Sequence, residues 1–292
     1  MRVKNRIYFI VISIIFLLGC TWIGAQQMWN ANLKPMGWEN IKHVVYIIFE
    51  NGNPKKAIEQ PYFSELTQRG AYLSQFYGVT HPSQPNYIAM TAGSDFRIYT
   101  DFNVTIRTRH IGNLLEEAGK TWKVYAEDYP GDCFLQARKD LYVRKHVPFL
   151  SYKNVQTHKE RCDNIVSSEQ FKSDIANGQL PTYAMYVPNL DNDGHDTDLA
   201  HASNWLEETL GDVLSDEKIL SDTLFVITFD EDDYFHFNKI YTVLLGAGVK
   251  PASTSNRYYN HYSMLRTIEE ILGLPTLGRS DQWAKIISDI WN

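Results

Sequence analysis

The chain has 292 residues, 44% of them hydrophobic and 21% charged, and a net charge of −6. That length suits one large α/β domain with a substantial buried core. The acidic balance argues against nucleic acid as a partner and against strong attraction to anionic membranes. No internal repeat, low-complexity tract or long linker interrupts the chain.

At the beginning, Arg2, Lys4 and Arg6 precede an apolar run over residues 7–18, the layout of a secretory signal. The run is short for a membrane-spanning helix. It closes on Leu17-Leu18-Gly19-Cys20, which has the form of a bacterial lipobox. Residues 1–19 are therefore read as a signal peptide and Cys20 as a candidate for lipidation, with cleavage near Ala25 or retention as an anchor as the competing readings. Either way the protein is expected to be exported: periplasmic, secreted or tethered to a membrane. Removal of residues 1–19 deletes three positive charges and no negative ones, taking the net charge from −6 to −9. Residues 20–40 form a polar lead-in, and residues 41–292 a single domain.

Residues 42–49 are an almost unbroken apolar, β-branched run, which predicts a strand buried on both faces in a parallel sheet. It ends in Glu50 and Asn51, and ligands of open α/β sheets bind at the carboxyl ends of strands. A helix is expected over residues 61–70 and a strand over residues 71–79. Then comes Thr80-His81-Pro82-Ser83-Gln84-Pro85-Asn86-Tyr87, continuing as a helix over residues 86–91 toward Gly93. Ser83 stands where unpaired N–H groups and the positive end of the helix favour an anion, so a phosphate could be held against its hydroxyl. The competing reading of Ser83 is a plain N-cap.

Residues 110–119 read as a helix and 122–126 as a strand. Residues 128–170 read as an insertion over the catalytic edge. Within it, Cys133 and Cys162 suggest a disulfide in an exported protein; two buried free thiols are the alternative. Arg144, Lys145 and His146 are rival candidates for a substrate phosphate or for loop solvation, and nothing in their spacing ranks them. A strand over residues 182–187 leads into an Asp-rich segment carrying His195 and Asp196, read as phosphate-contacting or proton-transfer groups. The segment lacks the closing glutamate of an EF-hand. Residues 199–215 are expected to be helical, with Trp205, Leu206 and Leu210 facing the core.

Residues 223–229 repeat the buried-strand pattern and end in Asp230-Glu231-Asp232-Asp233. Asp230 and Glu231 at the strand tip are read as metal ligands, and Asp232 and Asp233 as solvated loop charges. Hard oxygen ligands suit Mg²⁺, Ca²⁺ or Mn²⁺, with Zn²⁺ or Fe open if histidine joins. A strand over residues 241–245, a helix opened by His261 with Met264, Leu265, Ile268 and Ile271 as its apolar stripe, and a helix over residues 282–291 complete the chain.

These segments together resemble the phosphoesterase family of secreted acid phosphatases and bacterial phospholipases C, closest to the short acid phosphatase branch. The resemblance rests on Glu50-Asn51, the His81-to-Tyr87 motif, Glu127-Asp128-Tyr129-Pro130-Gly131, Arg144-to-Phe149, Asp230-Glu231-Asp232, Gly246-Ala247-Gly248-Val249 and Asn260-His261-Tyr262-Ser263. It runs from about residue 41 to 274. The family belongs to the alkaline phosphatase superfamily, so an α/β fold with a mostly parallel central sheet between helical layers is implied. Ser83-Gln84-Pro85-Asn86 also resembles the Thr-x-Pro-Asn nucleophile element of nucleotide pyrophosphatases in that superfamily.

Carried over by position, the resemblance implies that Ser83 is the nucleophile. It makes Glu50, Asn51, Asp230 and Glu231 ligands of a divalent metal that also touches the Ser83 oxygen. It places Asn86, Asp196 and His261 on substrate, and His195 as the first choice to protonate the leaving alcohol. One ion is expected; Asp191, four residues before His195, leaves a second open. Glycine at position 194 departs from the bulkier residue expected there. The implied function is a metal-dependent acid phosphatase acting on phosphate monoesters, small-molecule or lipid-headgroup, through a phosphoserine. A phospholipase C-type phosphodiesterase is the alternative, and a non-catalytic ligand-binding envelope protein the third reading.

Overall fold

Residues 44–49 are each fully buried, as an apolar β-branched run demands when both of its faces are covered. The computed structural model describes residues 35–292, so the signal segment and Cys20 lie outside the described residues. His43–Phe49 is a central strand of an eight-stranded sheet, flanked in parallel by Thr223–Phe229 and Tyr183–Val187. Across the sheet the strands run Ser253–Ser255, Ala71–Leu73, Thr242–Gly246, Thr223–Phe229, His43–Phe49, Tyr183–Val187, Trp122–Ala126 and Ile165–Ser167. Only Thr242–Gly246 runs antiparallel to its neighbours, so the sheet is mostly parallel, as expected.

The two-residue period of a strand sorts its side chains between two helical layers. From the central strand Phe49 meets Phe63 and Trp205, and Phe229 joins the same aromatic group, beneath the helices Pro61–Arg69 and Leu199–Leu210. Tyr46 and Glu50 point the other way, to His261 and to Ser83, at the starts of the helices His261–Ile271 and Ser83–Ala92. The residue after each strand's last phenylalanine therefore falls on the Ser83 face, and Asp230 sits there because Phe49 and Phe229 are in register.

Three expected elements differ. The strand expected over residues 71–79 breaks at Ser74, whose backbone N–H and hydroxyl both donate to the Ser255 carbonyl. Its second half, Phe76–Tyr77, enters a separate three-stranded sheet with Lys239–Ile240 and Tyr259–Asn260. That small sheet joins the segments leading into Ser83, out of Asp230 and into His261. The helix expected over residues 282–291 is only Ser280–Trp283, because the chain beyond it spends its backbone on tertiary partners: Ile287 N–H donates to Thr267 Oγ1, and the Ile290 carbonyl accepts from Lys250. The helix from Leu199 stops at Leu210, and Val213–Ser215 follows as a separate turn. Within the expected insertion, Ile165–Ser167 belongs to the main sheet as its edge strand. Among the described residues no helix is long and apolar enough to cross a membrane.

Candidate active site

Asn51 turns the chain out of the central strand with φ 51°, a left-handed conformation that asparagine tolerates better than most residues. This turn brings its backbone N–H to Asp230 Oδ1 at 3.2 Å, while Asp230 N–H donates to the Phe49 carbonyl at 3.0 Å. Ser83 is the first residue of its helix; Pro82 holds the cap position, and no side chain caps the end. The N-cap reading of Ser83 therefore fails, and its hydroxyl is spent elsewhere: it donates to Glu50 Oε2 at 2.8 Å and lies 3.3 Å from Glu231 Oε1. Tyr87, one turn along the helix, donates to Glu50 Oε1 at 2.6 Å. One oxygen of Glu50 is thus fixed by tyrosine and the other faces the serine.

The site holds more negative charge than the chain neutralises. Burial, then the charges on Glu50 and Glu231, push the Asp230 carboxyl well above the usual range; burial and the Glu50 charge push Glu231 up to about 8. Asp230 Oδ2 and Asn51 Oδ1 are buried with no hydrogen-bond partner, an arrangement costing several kcal/mol unless something binds them. The donor set is all oxygen, the kind a hard divalent cation takes, and such an ion would offset the crowded carboxylates. Among the described residues the one trio of His, Cys, Asp or Glu with ligand atoms within 4.8 Å of one another is Asp232, Asp233 and His236, not the Glu50 group. In that trio much of the acceptor capacity is already used. Asp232 accepts from the backbone N–H groups of Tyr234, His236 and Asn238, and Asp233 pairs with His236 and Asn53. Asp232, expected to be solvated, is fully buried; the correction follows from its role as the brace of its own loop.

His195 is one-third exposed, with Nδ1 2.6 Å from Asp196 Oδ1, so Nε2 is the nitrogen left for a substrate. Gly194 has φ 92°, a conformation that a bulkier residue would resist, and this accounts for the glycine there. Asn86 and His261 were expected on the phosphoryl group, but both are fully buried and committed to protein groups. Asn86 Oδ1 accepts from the Val79 and Thr80 N–H groups, and its Nδ2 donates to the Thr80 carbonyl. His261 Nε2 donates to the Asp230 carbonyl at 2.6 Å, and burial pulls its pKa down to about 4. Both brace the ligand-bearing turns from behind. A cavity of about 460 Å³ opens beside Glu50 and Asn51, lined also by Asn53, Lys56, Gln60 and Thr197.

Two further histidines join the site: His81 is given no role by the sequence, and His146 is there only an unranked candidate for a substrate phosphate. His81 Nδ1 lies 2.7 Å from Glu231 Oε2 and its ring stacks on Tyr234; its place inside the Ser83 motif was the available signal. His146 sits in the segment closed by the Cys133–Cys162 disulfide, where Cα atoms are 5.6 Å apart. It is buried, stacks on Tyr87, and places its ring nitrogens 3.3 Å from Glu50 Oε1 and 3.4 Å from Asp193 Oδ2, off the hydrogen-bonding line. Its neighbours separate: Arg144 holds the Leu135, Val104 and Leu150 carbonyls, and Lys145 pairs with Asp101. Burial by itself disfavours the His146 cation, yet Glu50 and Asp193 outweigh it and push its pKa up to about 9. This stabilisation is complete below the ordinary histidine pKa of about 6.5 and is lost as pH rises through about 9. With chelator present, His146→Asn should lower unfolding stability at pH about 6 by about 3–5 kcal/mol, since two buried carboxylates lose their cation. The deficit should shrink toward pH about 9. Urea denaturation checks it; equal stabilities at the lower pH would remove the ionic role.

Comparison with known proteins places these features in context. The model of the Phosphoesterase family matches residues 19–275. A probable acid phosphatase of Kluyveromyces lactis is 34% identical over 265 residues, covering 86% of this chain and 63% of its own. An acid phosphatase of Aspergillus fumigatus is 35% identical over 240 residues, covering 78% of this chain and 54% of its own. The chain thus spans somewhat more than half the length of these two relatives. A phosphatidylinositol-3-phosphatase of Mycobacterium tuberculosis is 35% identical over 279 residues, covering 93% of this chain and 89% of its own. Among solved structures, an alkaline phosphatase superfamily protein from Vibrio parahaemolyticus shares the fold with TM-score 0.58 at 15% identity, covering 83% of this chain and 70% of its own.

Proposed function

The chain belongs to the Phosphoesterase family, and from that premise we propose that it is a metal-dependent phosphomonoesterase that works through a phosphoserine on Ser83. The observation that carries this reading is the Ser83 hydroxyl, held at a helix start between Glu50 and Glu231 beside two orphaned oxygens on Asp230 and Asn51. The acid phosphatase names of two relatives, and the phosphatidylinositol-3-phosphatase name of a third, support a monoester substrate with an acidic working range. Glu50, Asn51, Asp230 and Glu231 would hold the cation, with Ser83 beside it. When bound, such an ion supplies positive charge to the serine oxygen and to the phosphoryl oxygens.

The rest of the mechanism belongs to the chain's own side chains. An in-line attack forms the Ser83 Oγ–P bond as the P–O bond to the leaving alcohol breaks, and the Oγ proton moves toward Glu50 Oε2, which accepts from it at 2.8 Å. The helix start adds N–H dipoles that favour the phosphoryl anion. His195, held through Nδ1 by Asp196, gives a proton to the leaving oxygen. Water then cleaves the phosphoserine. Export, with residues 1–19 as the signal and Cys20 as a point of tethering, is part of this proposal.

A release assay with divalent metal present compares p-nitrophenyl phosphate with bis(p-nitrophenyl) phosphate across acidic to neutral pH. The proposal expects the monoester to be turned over faster by at least about 100-fold, or ~2.7 kcal/mol in the barrier. Faster diester cleavage would favour the phospholipase C-type reading, and no turnover of either would favour a binding module.

A further inference from the structure

Among the described residues, large aromatic side chains stand exposed at the rim of this site. Among the described residues nine large hydrophobic side chains are exposed, and five of them, Tyr99, Phe102, Tyr234, Phe235 and Phe237, stand on two loops bonded directly to the catalytic elements. On one side Gln84, next to Ser83, donates to Asp101 and to the Thr100 and Phe102 carbonyls, and Lys145 holds Asp101 from the His146 segment. On the other, Asp232 follows the metal-ligand pair and grips the Tyr234, His236 and Asn238 N–H groups, while Tyr234 stacks on His81.

The second loop is built against its own preferences. Tyr234 and Phe237 have φ 69° and 57°, a left-handed backbone unfavourable for bulky residues. Phe235 is 83% and Phe237 96% exposed, so neither aromatic ring recovers the cost by packing inside the protein. A loop that is strained, clamped by a buried carboxylate and tipped with phenylalanine is preorganised to insert into something apolar. Through the Tyr234–His81 stack the loop stands at the mouth of the Ser83 site.

We propose that these two loops dock the active-site mouth onto a phospholipid bilayer, with Phe235 and Phe237 inserted at the interface, so that the site takes phosphomonoester lipids from the membrane. The substrate class rests on the phosphomonoesterase reading above; the docking does not. Aromatic and tyrosine tips on a short loop match the water–lipid boundary, where one end of each ring is apolar and the other wet. The acidic body makes this an attachment by apolar insertion and not by charge, so it persists at about 0.5 M salt, where charge attraction is screened within a few ångströms.

The test uses the full chain, Phe237→Trp, Phe235→Ser/Phe237→Ser and neutral phosphatidylcholine vesicles, with and without brominated acyl chains, at high salt. The proposal expects Phe237→Trp to gain bromine-dependent fluorescence quenching beyond that of the native tryptophans; an N-terminal tether alone would not bury position 237. In the double serine variant, p-nitrophenyl phosphate turnover stays within about twofold, while turnover of a phosphomonoester lipid in the same vesicles falls at least about tenfold. Absent quenching overturns docking. So does a sedimentation coefficient that drops from dimer to monomer in the double variant, which would make a second copy of this chain the occupant. Quenching without any phosphate release from either substrate leaves docking standing and removes the phosphatase reading instead.

Discussion

Ser83→Ala is expected to lower kcat by about 10⁴-fold or more and to abolish covalent phosphate on the protein after acid quench. The size follows from the role proposed for the hydroxyl, which is held between Glu50 and Glu231 and would form the bond to phosphorus. The fold should survive, because Ser83 caps nothing and alanine suits the first turn of a helix. The lost hydrogen bonds to buried carboxylates should cost about 1–3 kcal/mol of stability. A large loss of turnover with a small loss of stability separates a nucleophile from a structural serine. Retention of activity within about tenfold would assign the chemistry elsewhere.

Metal removal should have a comparable effect by a different route. Chelation is expected to reduce turnover at least about 10³-fold, with recovery on adding a divalent cation, since the proposed ion would supply several kcal/mol of charge stabilisation. Asp230→Asn should imitate the loss and prevent the recovery. Asp230 lies at the bottom of the site, its Oδ1 taken by the Asn51 N–H and its Oδ2 left without a partner. In the metal-free protein the same substitution should raise stability, because burial and the neighbouring Glu50 and Glu231 charges oppose an ionised Asp230. By linkage, a carboxyl with a raised folded pKa destabilises the native state increasingly as pH climbs above its unfolded value of about 3.9, so the gain from asparagine should be larger at pH about 7 than at pH about 4. Thermal melts with chelator at the two pH values measure it; a variant less stable than wild type at both would show that no such strain exists.

Residues placed by local pattern were legible in the sequence. Two buried apolar runs end in carboxylates, and strand alternation then carries Glu50 and Asp230 onto one face without further information. The helix beginning at His261 and the strand Trp122–Ala126 follow the same logic, since periodicity and length are local signals. What escaped depends on partners far along the chain. Asp232 was assigned to solvent because acidic residues after a strand usually are; its burial arises from a loop folding back over it. His146 reaches Glu50 through an insertion whose path no periodicity specifies, and the break at Ser74 is set by Ser255, 181 residues away. Asn86 and His261 lie beside the site, but both are buried: Asn86 Nδ2 donates to the Thr80 carbonyl and lies 3.3 Å from Glu231 Oε2, and His261 Nε2 donates to the Asp230 carbonyl.

The proposed chemistry requires a cation at the Glu50 group. X-ray diffraction from crystals grown with Mn²⁺, recorded at the manganese absorption edge, locates it without reference to activity. The expected result is an anomalous peak about 2–2.6 Å from Asp230 Oδ2 and Asn51 Oδ1, with Glu50, Glu231 and Ser83 Oγ completing the shell. A peak among Asp232, Asp233 and His236 with the Glu50 group empty would contradict it.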